Sequence, residues 1–306
     1  MVFIISEEDV PKLEEVVEDY VRNHHDQSLT LERVISYLEQ ALSSERVCVL
    51  AHKTKGIVDG FILTQNHGEI SAYHVKADDD EKRKEIESLL FEGVIEKLKN
   101  SVETITYSDS KGISSLKFIF DKAEFESYDR ASMYVAREDI RLPDDLELSE
   151  EYQVTNFSNE MIEDLAKIVY DANKGQIDSR IYYKYFGSKG NAIEFVKKFS
   201  NDTFGRHIEE IAKVVLSQSK PVAVCFMSLA SEKTAAVVEL AVESKHKKQG
   251  LGTKVLIESI KASFAIPKVQ EIGLHVTLSN PAKKIYDKLG FKERYRYTIY
   301  VKHFNK

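Results

Sequence analysis

The segment from Val238 to Thr253, Val-Glu-Leu-Ala-Val-Glu-Ser-Lys-His-Lys-Lys-Gln-Gly-Leu-Gly-Thr, gathers the residue types that an anionic ligand needs. Gly250 and Gly252 let main-chain N–H groups approach an anion with no Cβ in the way. Lys245, Lys247 and Lys248 bring positive charge to the same loop. An apolar stretch ending in Leu240-Ala241-Val242 precedes it, and Val255, Leu256 and Ile260 follow at the spacing of one helix face. A helix starting here offers unsatisfied N–H groups and the positive end of its dipole. The chemistry implied is the grip of a phosphorylated ligand by Lys247, Lys248, Gln249, Gly250, Leu251, Gly252 and Thr253. Taken alone, Gly-x-Gly before a helix is equally a plain turn.

A second block, residues 280–291, reads Asn-Pro-Ala-Lys-Lys-Ile-Tyr-Asp-Lys-Leu-Gly-Phe. Asn280 suits a helix N-cap, Pro281 the first helical position and Gly290 the helix end. The patterns on either side predict strands over 272–278 and roughly 295–301. Upstream they predict a strand over 153–156, a helix over 159–171, and a hairpin pairing 213–216 with 222–229. The central strand is expected over 234–242, and the helix after the glycine loop runs to about Phe264. These elements make an α/β (α+β) mixed sheet with helices on both faces.

Together the two blocks resemble the GNAT family of acyl-CoA-dependent N-acyltransferases. Its acyl-CoA loop, Gln/Arg-x-x-Gly-x-Gly/Ala after a strand ending Leu-Ala-Val, is met by 240–242 and 247–252. Lys247 departs from the usual Arg or Gln, which keeps the charge but loses the planar fork. The family's second block is nearly matched by Asn280, Ala282, Tyr286, Gly290 and Phe291, with the alanine one place early. The resemblance implies acetyl-CoA as acyl donor, with its pantetheine arm in a gap where the central strand and the next one part. Leu240, Ala241 and Val242 would bond its amides, and Asn280 would contact it.

Acyl transfer to an amine needs a held donor, a deprotonated amine, a stabilised oxyanion and a proton for the leaving thiolate. Within the family frame Tyr286 is the general acid; outside it, a helix tyrosine is equally a packing residue. The family's strand carboxylate falls at Ala236 here. Glu239 is the nearest alternative base, but strand alternation turns it to the other face unless a bulge intervenes. The segment 175–206 is the expected acceptor cover, with Tyr182, Tyr183 and Tyr185 as substrate contacts and Arg180 and Arg206 able to grip a carboxylate. The expected reaction is direct transfer of acetyl to a primary amine of a small molecule in a ternary complex. The alternatives are a catalytically silent acyl-CoA sensor and a protein N-acetyltransferase.

The chain also repeats itself. Residues 119–135 and 285–301 share Ile, Asp, Lys, Phe, Arg, Tyr and Val in register at an offset of 166. Two tandem GNAT-like domains are therefore expected: 1–140, a linker over 141–150, and 151–306, with some fourteen extra residues between 166 and 213 in the second. At the same offset Gly250 and Gly252 fall on Lys84 and Ile86, Asn280 on Ser114 and Tyr286 on Phe120. The first copy, with acidic Asp78-Asp79-Asp80-Glu81 where an anion would sit, is expected not to bind acyl-CoA.

Composition sets the outer bounds. Charged residues are 30% and hydrophobic ones 42%, ordinary for a globular protein. A net charge of −7 opposes a general nucleic-acid binder. There is no run of about 18 apolar residues, and Met1 to Asp9 lacks the basic start of a signal peptide. A soluble cytoplasmic enzyme with no membrane partner is expected. Cys48 and Cys225 are expected as buried free thiols, and His24, His25 and His246 lack partners at metal-ligand spacing.

Overall fold

The computed structural model describes residues 1–23, 29–43, 47–65, 68–110, 114–143 and 146–304. His24 and His25, and Asp144 and Asp145 of the expected linker, lie outside them. In chain order the first half contains β1 (Val2–Ile4), α1 (Glu14–Arg22), α2 (Leu31–Ser43), β2 (Val47–Thr54), β3 (Ile57–Gln65), β4 (Glu69–Val75), α3 (Asp80–Leu98), β5 (Thr104–Asp109), α4 (Ser114–Lys122) and β6 (Glu126–Ala136). The second half contains β7 (Tyr152–Asn156), α5 (Ile162–Asn173), α6 (Ile177–Ile181), α7 (Tyr183–Phe186), α8 (Lys189–Ser200), β8 (Arg206–His207), β9 (Lys213–Ser217), β10 (Lys220–Leu229), β11 (Thr234–Val242), α9 (Leu251–Ala265), β12 (Glu271–Thr277), α10 (Lys283–Lys288) and β13 (Lys292–His303).

Two compact units result, one of Met1–Tyr128 with Thr298–Lys306 and one of Asp129–Tyr297. In the first, β1 to β4 pair antiparallel in sequence. Then β4 meets β5 in parallel through only Glu69–Thr106 and Ile70–Tyr107. The sheet is completed by residues 298–303 of β13, antiparallel to β5. Helix α3 covers one face through Ile86, Leu90, Phe91 and Val94. The other face is packed by Val10, Leu13, Val16, Val17 and Leu38.

The second unit repeats the plan. Strands β7, β9, β10 and β11 pair antiparallel, β11 and β12 run parallel, and β12 pairs antiparallel with β6. Helix α9 lies on one face; Val255, Leu256 and Ile260 are fully buried, as their spacing predicts. Side chains of this size stabilise the fold by roughly 1.5–3 kcal/mol each when buried. On the other face Leu165 and Val169 of α5 and Phe195 and Phe199 of α8 pack with Phe226.

The compact units do not divide where the repeat does. Residues 129–136 of β6 belong to the second unit and residues 298–303 of β13 to the first. Each unit thus takes its last strand from the other copy. The two strands carry the repeated pattern Arg130–Tyr134–Val135 and Arg296–Tyr300–Val301, so side-chain pattern alone does not say which pairs with β5 and which with β12.

Candidate active site

Strands β11 and β12 are paired only at Thr234–Glu271, Ala235–Ile272 and Ala236–Gly273. Beyond Ala236 they part, and residues 237–242 keep ladder bonds only toward β10. The free edge of this stretch offers main-chain donors and acceptors to an extended ligand, the arrangement expected for Leu240, Ala241 and Val242.

At the mouth of the gap the backbone is shaped to leave N–H groups open. Lys248 and Gly250 are left-handed, with φ of 66° and 82°. Gly250 is the N-cap of α9, and no side chain caps this helix start. A Cβ on Gly252 would lie 3.2 Å from Val242 Cγ2, so this glycine keeps the helix tight against the strand. Gln249 is anchored by the Tyr152 hydroxyl, which donates to its Oε1 at 2.6 Å and lies 2.9 Å from His246 Nδ1. Lys247 and Lys248 are exposed and have no ion-pair partner among the described residues, whereas Lys245 pairs with Glu243 at 3.3 Å. A helix of 15 residues, an uncapped start and two unpaired lysines form a fitting seat for a pyrophosphate.

Glu239 stands on β11 where the ladder with β10 slips. Phe226 pairs with Glu239, but Met227 pairs with Val237, so Val238 is an extra residue in the strand. This is the bulge that strand alternation requires for Glu239 to share the working face. Asn173, at the end of α5, donates from Nδ2 to Glu239 Oε1 at 3.3 Å. Burial pushes the Glu239 carboxyl up to about 7, aided by the like charge of Asp178; Asn173, the Leu240 N–H and Arg130 partly offset it. A carboxylate poised there can take a proton near neutral pH.

Tyr286 lies on α10 and is buried, its ring 5.8 Å from Phe291. Its phenol has no hydrogen-bond partner among the described residues. Burial raises it well above the ordinary tyrosine range, with Cys225, Glu239 and Asp178 adding to the effect. The phenol is therefore protonated at working pH. Asn280 does not cap α10 directly: the cap position is Ala282. Asn280 instead closes the preceding turn by accepting from the Ala282 N–H at 2.9 Å, and it donates to Asp178 Oδ2 at 3.2 Å.

Residues not singled out in the sequence complete the site. Arg130 of β6 is 4% exposed. It donates from Nη1 to Asp178 Oδ1 at 2.9 Å and to Thr277 Oγ1 at 2.7 Å, and from Nε to the Tyr297 hydroxyl at 3.2 Å. Its guanidinium lies 5.1 Å from the centre of the Tyr182 ring. Burial works against its charge, but Tyr182, Tyr297 and Asp178 outweigh that. The Tyr297 hydroxyl also meets His275 Nδ1 at 2.9 Å. The one advance signal was the recurrence of Arg130 as Arg296.

The three tyrosines of the cover segment part company. Tyr182 faces Arg130, while Tyr185 packs with Phe186, Phe195 and Phe204 at 5.5–6.3 Å. The Tyr183 carbonyl accepts from Asn191 Nδ2 at 3.0 Å, tying α7 to α8. Arg180 and Arg206 are exposed. Among the described residues there is no cluster of metal-ligating side chains, and no helix is long and apolar enough to cross a membrane.

Residues 183–304 match the model of the acetyltransferase (GNAT) domain. A stretch of 58 residues is 43% identical to an N-alpha-acetyltransferase of Sulfurisphaera tokodaii, covering 19% of this chain and 35% of that protein. The chain thus matches about a third of the length of this curated relative. A GCN5-related N-acetyltransferase of Sphaerobacter thermophilus superposes with a TM-score of 0.60 at 13% identity, over 100% of this chain and 96% of the other. A tandem GNAT protein from the clavulanic acid biosynthesis pathway superposes with a TM-score of 0.55 at 9% identity, over 100% and 99%. The fold is that of the GNAT proteins, and residues 183–304 are similar to their acetyltransferase domain.

Proposed function

We propose that the chain is an N-acetyltransferase that takes acetyl-CoA at the Gly250 loop and passes its acetyl group to a primary amine of a small molecule, by direct attack in a ternary complex. The observation carrying this reading is the bulge at Val238, which puts Glu239 on the α5 side of β11 against Asn173, at the gap where β11 and β12 part. Glu239 takes a proton from the amine. The amine nitrogen bonds to the thioester carbonyl carbon, and a main-chain N–H of the parted stretch of β11 bears the oxyanion's charge. The carbon–sulfur bond then breaks, and the Tyr286 hydroxyl protonates the departing thiolate. The first unit takes no acyl-CoA in this reading.

A second reading is favoured by the Sulfurisphaera tokodaii relative: the acceptor is the α-amine of a polypeptide. Following thiol release from acetyl-CoA with small amines and with short peptides separates the two. The proposal expects turnover with a small amine exceeding that with any peptide. Peptide-only turnover supports the second reading. Failure with every acceptor despite tight acetyl-CoA binding supports a silent sensor.

A further inference from the structure

The ion pair between buried Arg130 and half-buried Asp178 has no counterpart in the motifs of the chain, and its hydrogen bonds reach Thr277, Asn280 and Tyr297. Asp178 lies on α6, inside the segment that the first copy lacks. Its Oδ1 accepts from Arg130 and from Thr277 at 2.9 and 3.2 Å, and its Oδ2 from Asn280 at 3.2 Å. Only five residues upstream, Asn173 holds Glu239, and the turn between them is closed by the Gln176 N–H donating to the Asn173 carbonyl at 2.8 Å. One short stretch of chain therefore carries both the partner of Glu239 and the partner of Arg130. The guanidinium itself is pinned from three further sides by Thr277, Tyr297 and the Tyr182 ring. A surface arginine would give little here, but this one is 4% exposed, where solvent screens its charge less than at the surface.

We propose that Arg130 is a positioning residue for acetyl transfer: it fixes Asp178 beside the Glu239 site and so sets the charge that Glu239 faces. The inference rests on the reading of Glu239 as the base. Its consequence is that the N-terminal copy, though without a cofactor loop of its own, supplies a group the reaction uses, since Arg130 arrives on β6. The matching Arg296 shows the contrast: it is exposed and paired with Glu293.

The groups that act electrostatically on Glu239 are Asp178 from α6, Arg130 from β6, Tyr286 from α10 and Cys225 from β10, and the neutral Asn173 from α5 donates to it. Two of them bear opposite charges, which makes the test specific. Asp178→Asn removes a like charge, so Glu239 releases its proton more readily and the acidic limb of the pH–rate profile moves down. Arg130→Met removes a favourable charge and leaves Asp178 uncompensated, so the same limb moves up. Each shift is expected to be about half to one pH unit, with Arg130→Lys close to the parent and the double variant between the singles. A purely structural role would lower the amplitude without moving the limbs in opposite directions.

The experiment measures kcat/KM against pH for the full-length parent and these four variants. Carbon-13 NMR titration of the Glu239 carboxyl in the same proteins runs beside it, with coenzyme A calorimetry and thermal melting as controls. Opposed shifts in both readouts support the proposal. Parallel shifts, or none, in Asp178→Asn and Arg130→Met overturn it, and if Arg130→Met fails to fold, an unmoved limb in Asp178→Asn overturns it alone. Opposed NMR shifts in proteins that transfer no acetyl group would sink the acetyltransferase reading while leaving the charge arrangement standing.

Discussion

At the start of α3 a carboxylate closes the helix, whereas at the start of α9 a glycine leaves it open. Asp79 caps α3 by accepting from the Lys82 N–H at 2.7 Å. Gly250, left-handed at φ 82°, caps α9 with no side chain at all. Where Gly252 lets α9 sit against Val242, the first unit has Ile86 buried in its core. Behind these helix starts the parallel strands separate in both units. In the first, Tyr73 and Tyr107 come within 5.8 Å and Tyr107 stacks on Phe120 at 5.6 Å, with Phe91 and Tyr300 around them. Tyr73 stands 166 positions before Glu239, and Phe120 the same distance before Tyr286. Aromatic side chains hold the first unit together through the positions to which the proposed mechanism gives chemistry in the second. The comparison teaches that one scaffold accommodates an open glycine helix start in one unit and a capped start with aromatic packing in the other.

The sharpest way to break this contrast is to close the open helix start. Replacing Gly250 and Gly252 together by valine strains a left-handed position and wedges α9 from β11. Coenzyme A affinity should fall at least about a hundredfold by calorimetry, with melting temperature monitored alongside. Unchanged uptake would mean that the ligand sits elsewhere.

Glu239→Gln tests the floor of the gap. Turnover should drop by about a hundredfold or more while acetyl-CoA affinity holds. The same variant has a stability signature. Between the ordinary carboxyl value of 4.5 and about 7, the unfolded chain has released the proton that the folded chain still holds. Parent stability therefore falls as pH rises through that window and levels off above it. Denaturant titration should find the variant roughly 2–3 kcal/mol more stable than the parent near about pH 8 and nearly equal near about pH 4. Equal stability at both values would show that Glu239 titrates normally.

Tyr286→Phe should lower turnover at least about tenfold and leave acetyl-CoA affinity intact, since the phenol serves only the leaving thiolate. A stopped-flow record with undiminished thiol release would remove it from the mechanism. The smallest effect is expected in the first unit. Asp79→Ala opens the start of α3 at a cost of about 1 kcal/mol, and coenzyme A stoichiometry should stay as it was, because aromatic rings still fill the gap behind it. A second binding event in that variant would contradict the packing argument.

Much of the second unit was legible in the sequence because its signals are local. The limits of β11, the loop from Lys247 to Thr253 and the buried face of α9 follow from glycine chemistry and helical spacing. The placement of Glu239 was only half legible. Alternation turned it away, and the inserted Val238 that restores it is a matter of pairing with β10, which no single strand encodes. Arg130 and Asp178 were missed for a related reason. One lies in the opposite copy and the other in the extra segment, and they meet only because β6 pairs with β12. Asn280 read as a helix cap and a cofactor contact, since nothing local indicated Asp178 as its partner. Tyr182, Tyr183 and Tyr185 share a type and a neighbourhood, yet the short helices around them send one to Arg130 and another into the aromatic core.

Isothermal calorimetry of the full chain with acetyl-CoA tests the central contrast most directly. One binding event per chain, lost when Gly250 and Gly252 are both replaced, is the predicted result. Two events per chain, or one that survives that replacement, would contradict it.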